Sequence, residues 1–200
     1  MSTRSRRLLI VVGVVVVLVA AWLVLALNCP SIGIALTSRA RNLHRLKNRT
    51  AAPQATDFDS RVTLDALLVR GDDTNRWSTD RAARIEGYVL DVAYGGVAEA
   101  TNCYSPCRRD IHIVMANRRD APKTEQVVLE VTPNLREQGR DWSEQTLQQQ
   151  LVGRWCEFEG WLYFDVGHDE EAENTAANRP GNWRATAWEI HPVTKITVIR

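Results

Sequence analysis

The amino-terminal part of the chain contains an apolar run, residues 8–27, without a single charged side chain. At a rise of about 1.5 Å per residue, a helix of this length spans roughly 30 Å, the thickness of the hydrocarbon core of a bilayer. The sequence therefore predicts one transmembrane helix within residues 1–30. The fold of the protein has to be sought in the polar remainder.

Two other interpretations of this run are open. A cleaved signal peptide is the first, but its apolar region is usually about 7–15 residues long, which is shorter than the run found here. Lipidation of Cys29 is the second, because this cysteine closes the run. Asn28, however, occupies the position where lipoprotein signals have a small residue. The length favours an anchor that stays attached.

Charge is distributed unevenly along the chain. Eight of the 25 Lys and Arg residues lie in residues 1–50, which contain no Asp or Glu, so the remainder has 17 basic against 24 acidic groups and a net charge of −7. An acidic domain repels a phosphate backbone, so non-specific binding of nucleic acid is not expected. We interpret residues 31–57 as a basic juxtamembrane segment near anionic headgroups, followed by a linker.

The arginines beside the apolar run indicate the orientation in the membrane. Arg4, Arg6 and Arg7 directly precede the run, whereas the first basic residue after it is Arg39. The positive-inside rule then places the amino terminus in the cytoplasm. We expect a single-pass protein of the inner (plasma) membrane whose large domain lies outside the cytoplasm.

The cysteines of the large domain allow two kinds of disulfide. Cys103 and Cys107 can form a local clip, or a long-range bond can involve Cys156. Together with His112, the first two could also supply soft metal ligands. A zinc-ribbon site needs a second pair of ligands, so a disulfide or free thiols are the preferred interpretation.

Elements of secondary structure follow in a distinctive order after the linker. Residues 58–81 contain a short apolar segment, 62–69, that predicts a helix packed on the domain that follows. From residue 82 onward, the apolar pattern predicts five strands, and capping-box spacing between Asp141 and Glu144 predicts one helix. The strands are placed at residues 84–92, 110–115, 126–131, 154–164 and 183–199, and the helix at 141–151.

This order, β-β-β-α-β-β, is that of the OB-fold, a small five-stranded Greek-key barrel. Gly87 and Gly160 support a barrel, because glycine inside a strand is used where the strand bends tightly. An immunoglobulin-like sandwich is the alternative, but it needs about seven strands and no such helix. We therefore expect a mainly β protein with an OB-like barrel over residues 82–200.

Several short motifs of the barrel region add to this expectation. They are GYV at 87–89, NC at 102–103, DIHI at 110–113, EVTP at 130–133, GWLYFD at 160–165 and WEIHPVT at 188–194. Together they resemble OB-like domains of bacterial membrane-anchored envelope proteins. The resemblance covers a little over half of the chain. It implies an OB-like fold and a bacterial source, and it brings no activity with it.

Three of the four histidines stand close to a carboxylate in the sequence. In a strand, residues two apart share a face. The pairs at 110/112 and 189/191 have this spacing, so each should present a carboxylate and an imidazole on the outer, polar face. Such groups suit a divalent metal, another ligand or acid–base catalysis. The alternative is a separate structural role for each pair, since alternation alone places polar residues on that face. The pairs are Asp110 with His112, Asp165 with His168, and Glu189 with His191.

Aromatic residues alternate along the fourth predicted strand. Trp155, Trp161 and Tyr163 share the face opposite the apolar one, where a row of rings could stack on sugars or bases. Glu157 and Glu159 lie between them and favour a carbohydrate or peptide over a polyanion. The alternative is that the rings pack beneath the first short helix and the long loop.

Familiar catalytic fingerprints are missing from the sequence, which has no serine nucleophile elbow, phosphate-binding glycine loop or dinucleotide motif. The leading hypothesis is a single-pass envelope protein that presents a non-catalytic OB-type domain to an unknown protein, peptide or carbohydrate. No cofactor is expected, and a divalent metal is the alternative. Two competing hypotheses are a metal-dependent hydrolase that uses the acid–histidine pairs and an assembly factor for a membrane complex.

Overall fold

A computed structural model describes residues 3–199 of the chain. Its first element, α1 (Thr3–Leu27), is a 25-residue helix that contains an 18-residue window of mean hydropathy 3.3, none of it buried. By length and composition this helix can cross a bilayer, and a signal sequence would meet the same criterion. The predicted apolar helix is therefore present.

Five strands form a closed barrel in the order β1-β2-β3-β5-β4. Neighbouring strands are antiparallel except β3 and β5, which run parallel, and β1 closes the barrel by pairing with both β2 and β4. The strands are β1 (Ala82–Tyr94), β2 (Ile111–Ala116), β3 (Val127–Val131), β4 (Trp155–Phe164) and β5 (Trp188–Val198). The predicted five-stranded barrel is confirmed, although β5 begins later than expected.

Four further α-helices accompany the barrel in the described residues. They are α2 (Ser38–Lys47), α3 (Leu64–Leu68), α4 (Pro133–Arg136) and α5 (Glu144–Leu151), and the last two lie between β3 and β4. The helix expected at residues 141–151 is present but shorter, because the side chain of Ser143 accepts the hydrogen bond from the backbone N–H of Thr146 and caps it. Helical residues outnumber strand residues, 32% against 24%. The expectation of a mainly β protein is therefore inaccurate for the whole chain, largely because of α1.

The barrel interior forms the hydrophobic core. Ile113 of β2 and Leu129 of β3 point inward and are fully buried, and Leu147 of α5 packs against the same cluster. Gly160 allows β4 and β5 to approach closely, since a Cβ atom there would lie 2.3 Å from the carbonyl oxygen of Pro192. Gly160, which was predicted to lie at a strand bend, is thus required because the backbones of β4 and β5 are in contact there.

Residues 29–51, which we call the collar, pack on the outside of the barrel. Cys29 forms a disulfide with Cys103, in the loop between β1 and β2. The guanidinium of Arg49 donates a hydrogen bond to the carbonyl oxygen of Leu162 in β4 at 3.1 Å. The collar therefore belongs to the folded domain, in addition to being the basic segment that its composition indicates.

Candidate functional site

Four polar side chains form one patch on the outward-facing side of β2, β3 and β5. They alternate with core residues along each strand, and the register pairs His112 of β2 directly with Glu130 of β3. Parallel pairing of Leu129 with Ile190 brings β5 alongside β3. The four side chains are those of His112, Glu130, Glu189 and His191.

This patch is buried. The exposed fractions of Glu130, Glu189 and His191 are 3%, 1% and 0%, and only His112 keeps a partly exposed side chain. Glu189 and His191 lie on the outer face of the barrel, as alternation predicts, but they are enclosed there because other parts of the chain cover this face. Those parts contribute Lys47 of the collar, Asp110 before β2 and Arg184 before β5.

His191 lies at the centre of a network of contacts. Its Nδ1 is 3.2 Å from Glu189 Oε2, where the geometry is that of a hydrogen bond, and 3.0 Å from Glu130 Oε2. Glu130 Oε1 lies 3.2 Å from His112 Nε2. Arg184 Nη2 donates to Glu189 Oε1 at 2.7 Å. Side chains from three strands and from the loop before β5 thus form one continuous, largely buried set of polar contacts.

Asp110 joins this set from the loop before β2. The residue is fully buried, and its Oδ2 accepts a hydrogen bond from Asn102 Nδ2 at 3.0 Å. Asp110, Glu130 and His191 each offer one ligand atom, and these three atoms lie within 4.8 Å of one another. Two carboxylates and an imidazole therefore converge as a donor set for a metal ion.

The third predicted pair lies at the edge of the network. His168 Nδ1 and Asp165 Oδ2 are 2.6 Å apart, and Arg184 Nη1 lies 3.9 Å from the same oxygen. Arg184 also holds Glu189, so it links this pair to the central one. The side chain of His168 is 42% exposed and lies outside the converging trio.

Burial and crowding of carboxylates shift several pKa values in this region. Burial, reinforced by the charge of Glu189, raises the pKa of Glu130 well above its usual range. Burial also raises the pKa of Glu99, beside Asp110, to about 8. For the imidazole of His112, burial lowers the pKa. The common cause is that a charge in a space poor in water loses its solvation.

Two permanent cations offset part of the negative charge. Burial by itself lowers the pKa of the Lys47 ammonium, but the carboxylates of Glu130 and Asp165 outweigh it and raise that pKa well above its usual range. Burial likewise raises the pKa of Glu189, but the charge of the adjacent Arg184 and the hydrogen bond from His191 together outweigh it, so that the pKa is lowered. Lys47 and Arg184 thus act as counter-ions to a larger number of carboxylates.

The collar covers two of the three aromatic residues proposed as a stacking surface. The guanidinium of Arg49 lies 4.6 Å from the centre of the Trp161 ring. Tyr163 is buried, with Lys47 Nζ 5.3 Å from its ring centre. Trp155 lies apart from these two and lines a separate cavity of about 380 Å³.

The disulfide differs from both pairings considered from the sequence. Cys103 is bonded to Cys29, at a sequence separation of 74 residues. Cys107 is a free, exposed thiol, and Cys156 is a free, buried one. Because its sulfur is part of the disulfide, Cys29 is not available for a lipid.

Sequence reasoning misses three residues of the network, namely Glu130, Lys47 and Arg184. A signal for Glu130 exists, because a carboxylate inside the otherwise apolar run 127–131 needs a buried partner. Lys47 and Arg184 offer no comparable signal, since each resembles the other basic residues around it until the chain is folded.

No protein-family model, curated protein or solved structure matches the chain.

Proposed function

We propose that this chain is a single-pass membrane protein of a bacterial envelope that presents a non-catalytic, OB-like binding domain outside the cytoplasm. The strand order β1-β2-β3-β5-β4, the parallel pairing of β3 with β5 and the helix between β3 and β4 support an OB-like barrel. The apolar helix α1 supports attachment to a membrane.

The disulfide between Cys29 and Cys103 is the observation on which this proposal depends most. Disulfides persist in oxidising compartments and are rare in the cytosol. Cys29 follows the last residue of α1, Leu27, by two positions. The barrel should therefore lie on the oxidising side of the membrane, in agreement with the arginines that precede α1.

A non-catalytic role is favoured by the enclosure of the acid–histidine network. The hydrolase alternative needs a substrate within hydrogen-bonding distance of a general base. Glu189 and His191 are 1% and 0% exposed and contact protein groups. This geometry supports a stabilising role for the network and a binding surface elsewhere on the barrel.

The cavity beside Trp155 is the part of the aromatic face that the collar does not cover. Arg84, Glu86 and Asn117 also line it, so it combines a ring with hydrogen-bonding side chains. That combination suits a peptide or a carbohydrate. If the chain is instead an assembly factor, its partner is another membrane protein, which would bind the same domain on the same side of the membrane.

Thiol labelling in cells tests the proposal. With the full chain expressed in spheroplasts, a membrane-impermeant maleimide should label exposed Cys107, and C107S should abolish the label. Cys156 should stay unlabelled, because it is enclosed and burial raises its pKa to about 11. Cys29 and Cys103 should react only after reduction. The proposed topology would be contradicted if Cys107 were labelled only after permeabilisation, or if Cys29 reacted with the maleimide without prior reduction.

A further inference from the structure

We propose that Asp110, Glu130 and His191 bind one divalent cation of the Zn²⁺ class as a structural ion of the barrel. The three residues are 0%, 3% and 0% exposed, and their ligand atoms lie within 4.8 Å of one another. Nitrogen and oxygen ligands lie about 2.0–2.2 Å from Zn²⁺, so these side chains would have to close around the ion, and a fourth ligand such as water would complete the tetrahedral coordination. This proposal concerns a site inside the domain and does not depend on the membrane topology.

The first argument is that each of the three side chains has one polar atom in contact with a neighbour and another that lacks a hydrogen-bond partner. His191 Nδ1 contacts Glu189, and Asp110 Oδ2 accepts from Asn102. Glu130 Oε1 lies 3.2 Å from His112 Nε2. Three buried atoms of these side chains have no hydrogen-bond partner within residues 3–199, and they are His191 Nε2, Asp110 Oδ1 and Glu130 Oε2. Glu130 Oε2 lies 3.0 Å from His191 Nδ1, but without the geometry of a hydrogen bond.

This division of roles is the one expected of metal ligands. A ligating histidine almost always donates its other ring N–H to a carboxylate or carbonyl, which fixes the ring and its tautomer. The contact between His191 Nδ1 and Glu189 provides that partner, and Arg184 in turn holds Glu189 at 2.7 Å. In the tautomer that donates from Nδ1, Nε2 of His191 has a lone pair available to a cation.

The second argument is the charge of the enclosed region. Buried polar atoms without partners destabilise the folded state, and more so when they are charged. Arg184 is committed to Glu189, and Lys47 Nζ lies 5.3 Å from the Tyr163 ring centre with no ion pair to a carboxylate within 4.0 Å in the described chain. A divalent cation would satisfy the free atoms of the trio and offset both of its carboxylates.

The donor set indicates the class of ion. One imidazole and two carboxylates suit Zn²⁺ and neighbouring transition metals, whereas Ca²⁺ and Mg²⁺ prefer oxygen ligands alone. The enclosure of the site favours a structural ion. Since Asp110 belongs to the loop that also contains Cys103, the ion would fix this loop to β3 and β5.

Metal content of the full chain tests this inference. The protein is purified in detergent micelles with an affinity tag that lacks histidine, and it is treated with a chelator. Zn²⁺, Mn²⁺, Ca²⁺ or Mg²⁺ is then added alone, and bound metal is measured by mass spectrometry after dialysis. We expect one Zn²⁺ per chain, weaker uptake of Mn²⁺, and no retention of Ca²⁺ or Mg²⁺.

Near-isosteric variants identify the ligands. D110N, E130Q and H191Q should lose stoichiometric Zn²⁺, whereas E189Q should raise the Kd by about 10–100-fold through the orientation of His191. Two controls should bind like the wild type. H168Q alters a histidine outside the trio, and C107S removes the exposed thiol that could bind zinc on its own.

Two measurements on the wild-type protein test the site even if a variant does not fold. Wild-type protein should show a rise in thermal midpoint with added Zn²⁺, because an ion that binds only the folded state stabilises it. Its Co²⁺-substituted form should lack thiolate charge-transfer bands. A wild type without stoichiometric metal, uptake that D110N retains, or thiolate bands that C107S removes would each overturn the proposed site. The thiol-labelling result does not bear on these outcomes, so the two proposals can fail separately.

Discussion

Cys29, two residues beyond the end of α1, is bonded through its sulfur to Cys103 in the loop between β1 and β2, with their Cα atoms 5.8 Å apart. This bond joins the segment directly after the apolar helix to the barrel domain and closes a loop that contains the collar and β1. The bond holds together parts of the chain that are 74 residues apart. Asp110, a member of the buried polar network, lies seven residues after Cys103 in the same loop.

Removing this disulfide should destabilise the domain substantially. We expect C29S to lower the free energy of unfolding by about 2–5 kcal/mol, because the open chain gains conformational freedom when unfolded. Urea unfolding of the full chain in micelles measures this change. C107S is the matched control, since it removes an exposed free thiol, and reductant should affect the wild type as strongly as C29S does. If C29S and the wild type had the same midpoint of urea unfolding, the result would contradict a disulfide between Cys29 and Cys103.

Breaking the enclosed ion pair between Arg184 and Glu189 should be costly. The two side chains are 1% and 0% exposed and 2.7 Å apart, so R184M leaves a carboxylate without its partner in a space poor in water. We expect a loss of about 3–5 kcal/mol in urea unfolding. The double variant R184M/E189Q should recover part of this loss, because the buried charge is then gone.

An exposed pair of similar geometry provides the comparison. Arg179 and Glu170 are 2.8 Å apart, with side chains 51% and 77% exposed. R179M should therefore cost no more than about 1 kcal/mol. Equal losses for R184M and R179M would show that burial does not distinguish the two pairs.

The pair of Asp165 and His168 should make stability depend on pH. Burial opposes ionisation of Asp165, but the hydrogen bond from His168 and the charges of Lys47 and Arg184 together outweigh it and hold the pKa of Asp165 well below its usual range. The same hydrogen bond raises the pKa of His168 above its usual value. A raised histidine pKa adds stability that is complete below the unfolded value of about 6.5 and is lost as pH rises through the folded value. The Asp165 contribution is present above about pH 4 and is lost in acid.

Comparison of the wild type with H168Q isolates this contribution. The free energy of unfolding should differ more between the two proteins at about pH 5 than at about pH 9. Because His168 is partly exposed, the difference should be roughly 0.2–1 kcal/mol. A difference that is constant over this pH range would show that His168 does not titrate together with Asp165.

Gly160→Ala should disturb the closure of the barrel. The added methyl group would lie 2.3 Å from the carbonyl oxygen of Pro192 and 2.6 Å from Ile190 Cγ2, so β4 and β5 would have to separate. We expect a loss of about 1–3 kcal/mol or more in thermal or urea unfolding. Gly96→Ala is the control, because its nearest neighbour is 3.9 Å away. G160A and G96A proteins of equal stability would contradict the close contact between these strands.

Local patterns in the sequence were sufficient for the apolar helix, the five strands and the helix before β4. Each depends on residues close together in the chain: the charge-free run of α1, the alternation in β2 that places Ile111 and Ile113 inward, and the polar residues that precede α5. Side-chain periodicity is a property of one element, so it can be recognised before the fold is known. The same patterns placed His112, Glu189 and His191 on the outer face of their strands, but left open whether they meet.

Tertiary structure alone decided which groups meet across elements and which face is enclosed. The partner of Cys103 is Cys29, the collar covers Trp161 and Tyr163, and Glu130 completes the trio with Asp110 and His191. Alternation tells which side of a strand a residue occupies, but it does not tell whether another segment covers that side. Burial, pairing and the resulting pKa shifts depend on distances between residues far apart in sequence, and only the closed barrel with its collar sets those distances.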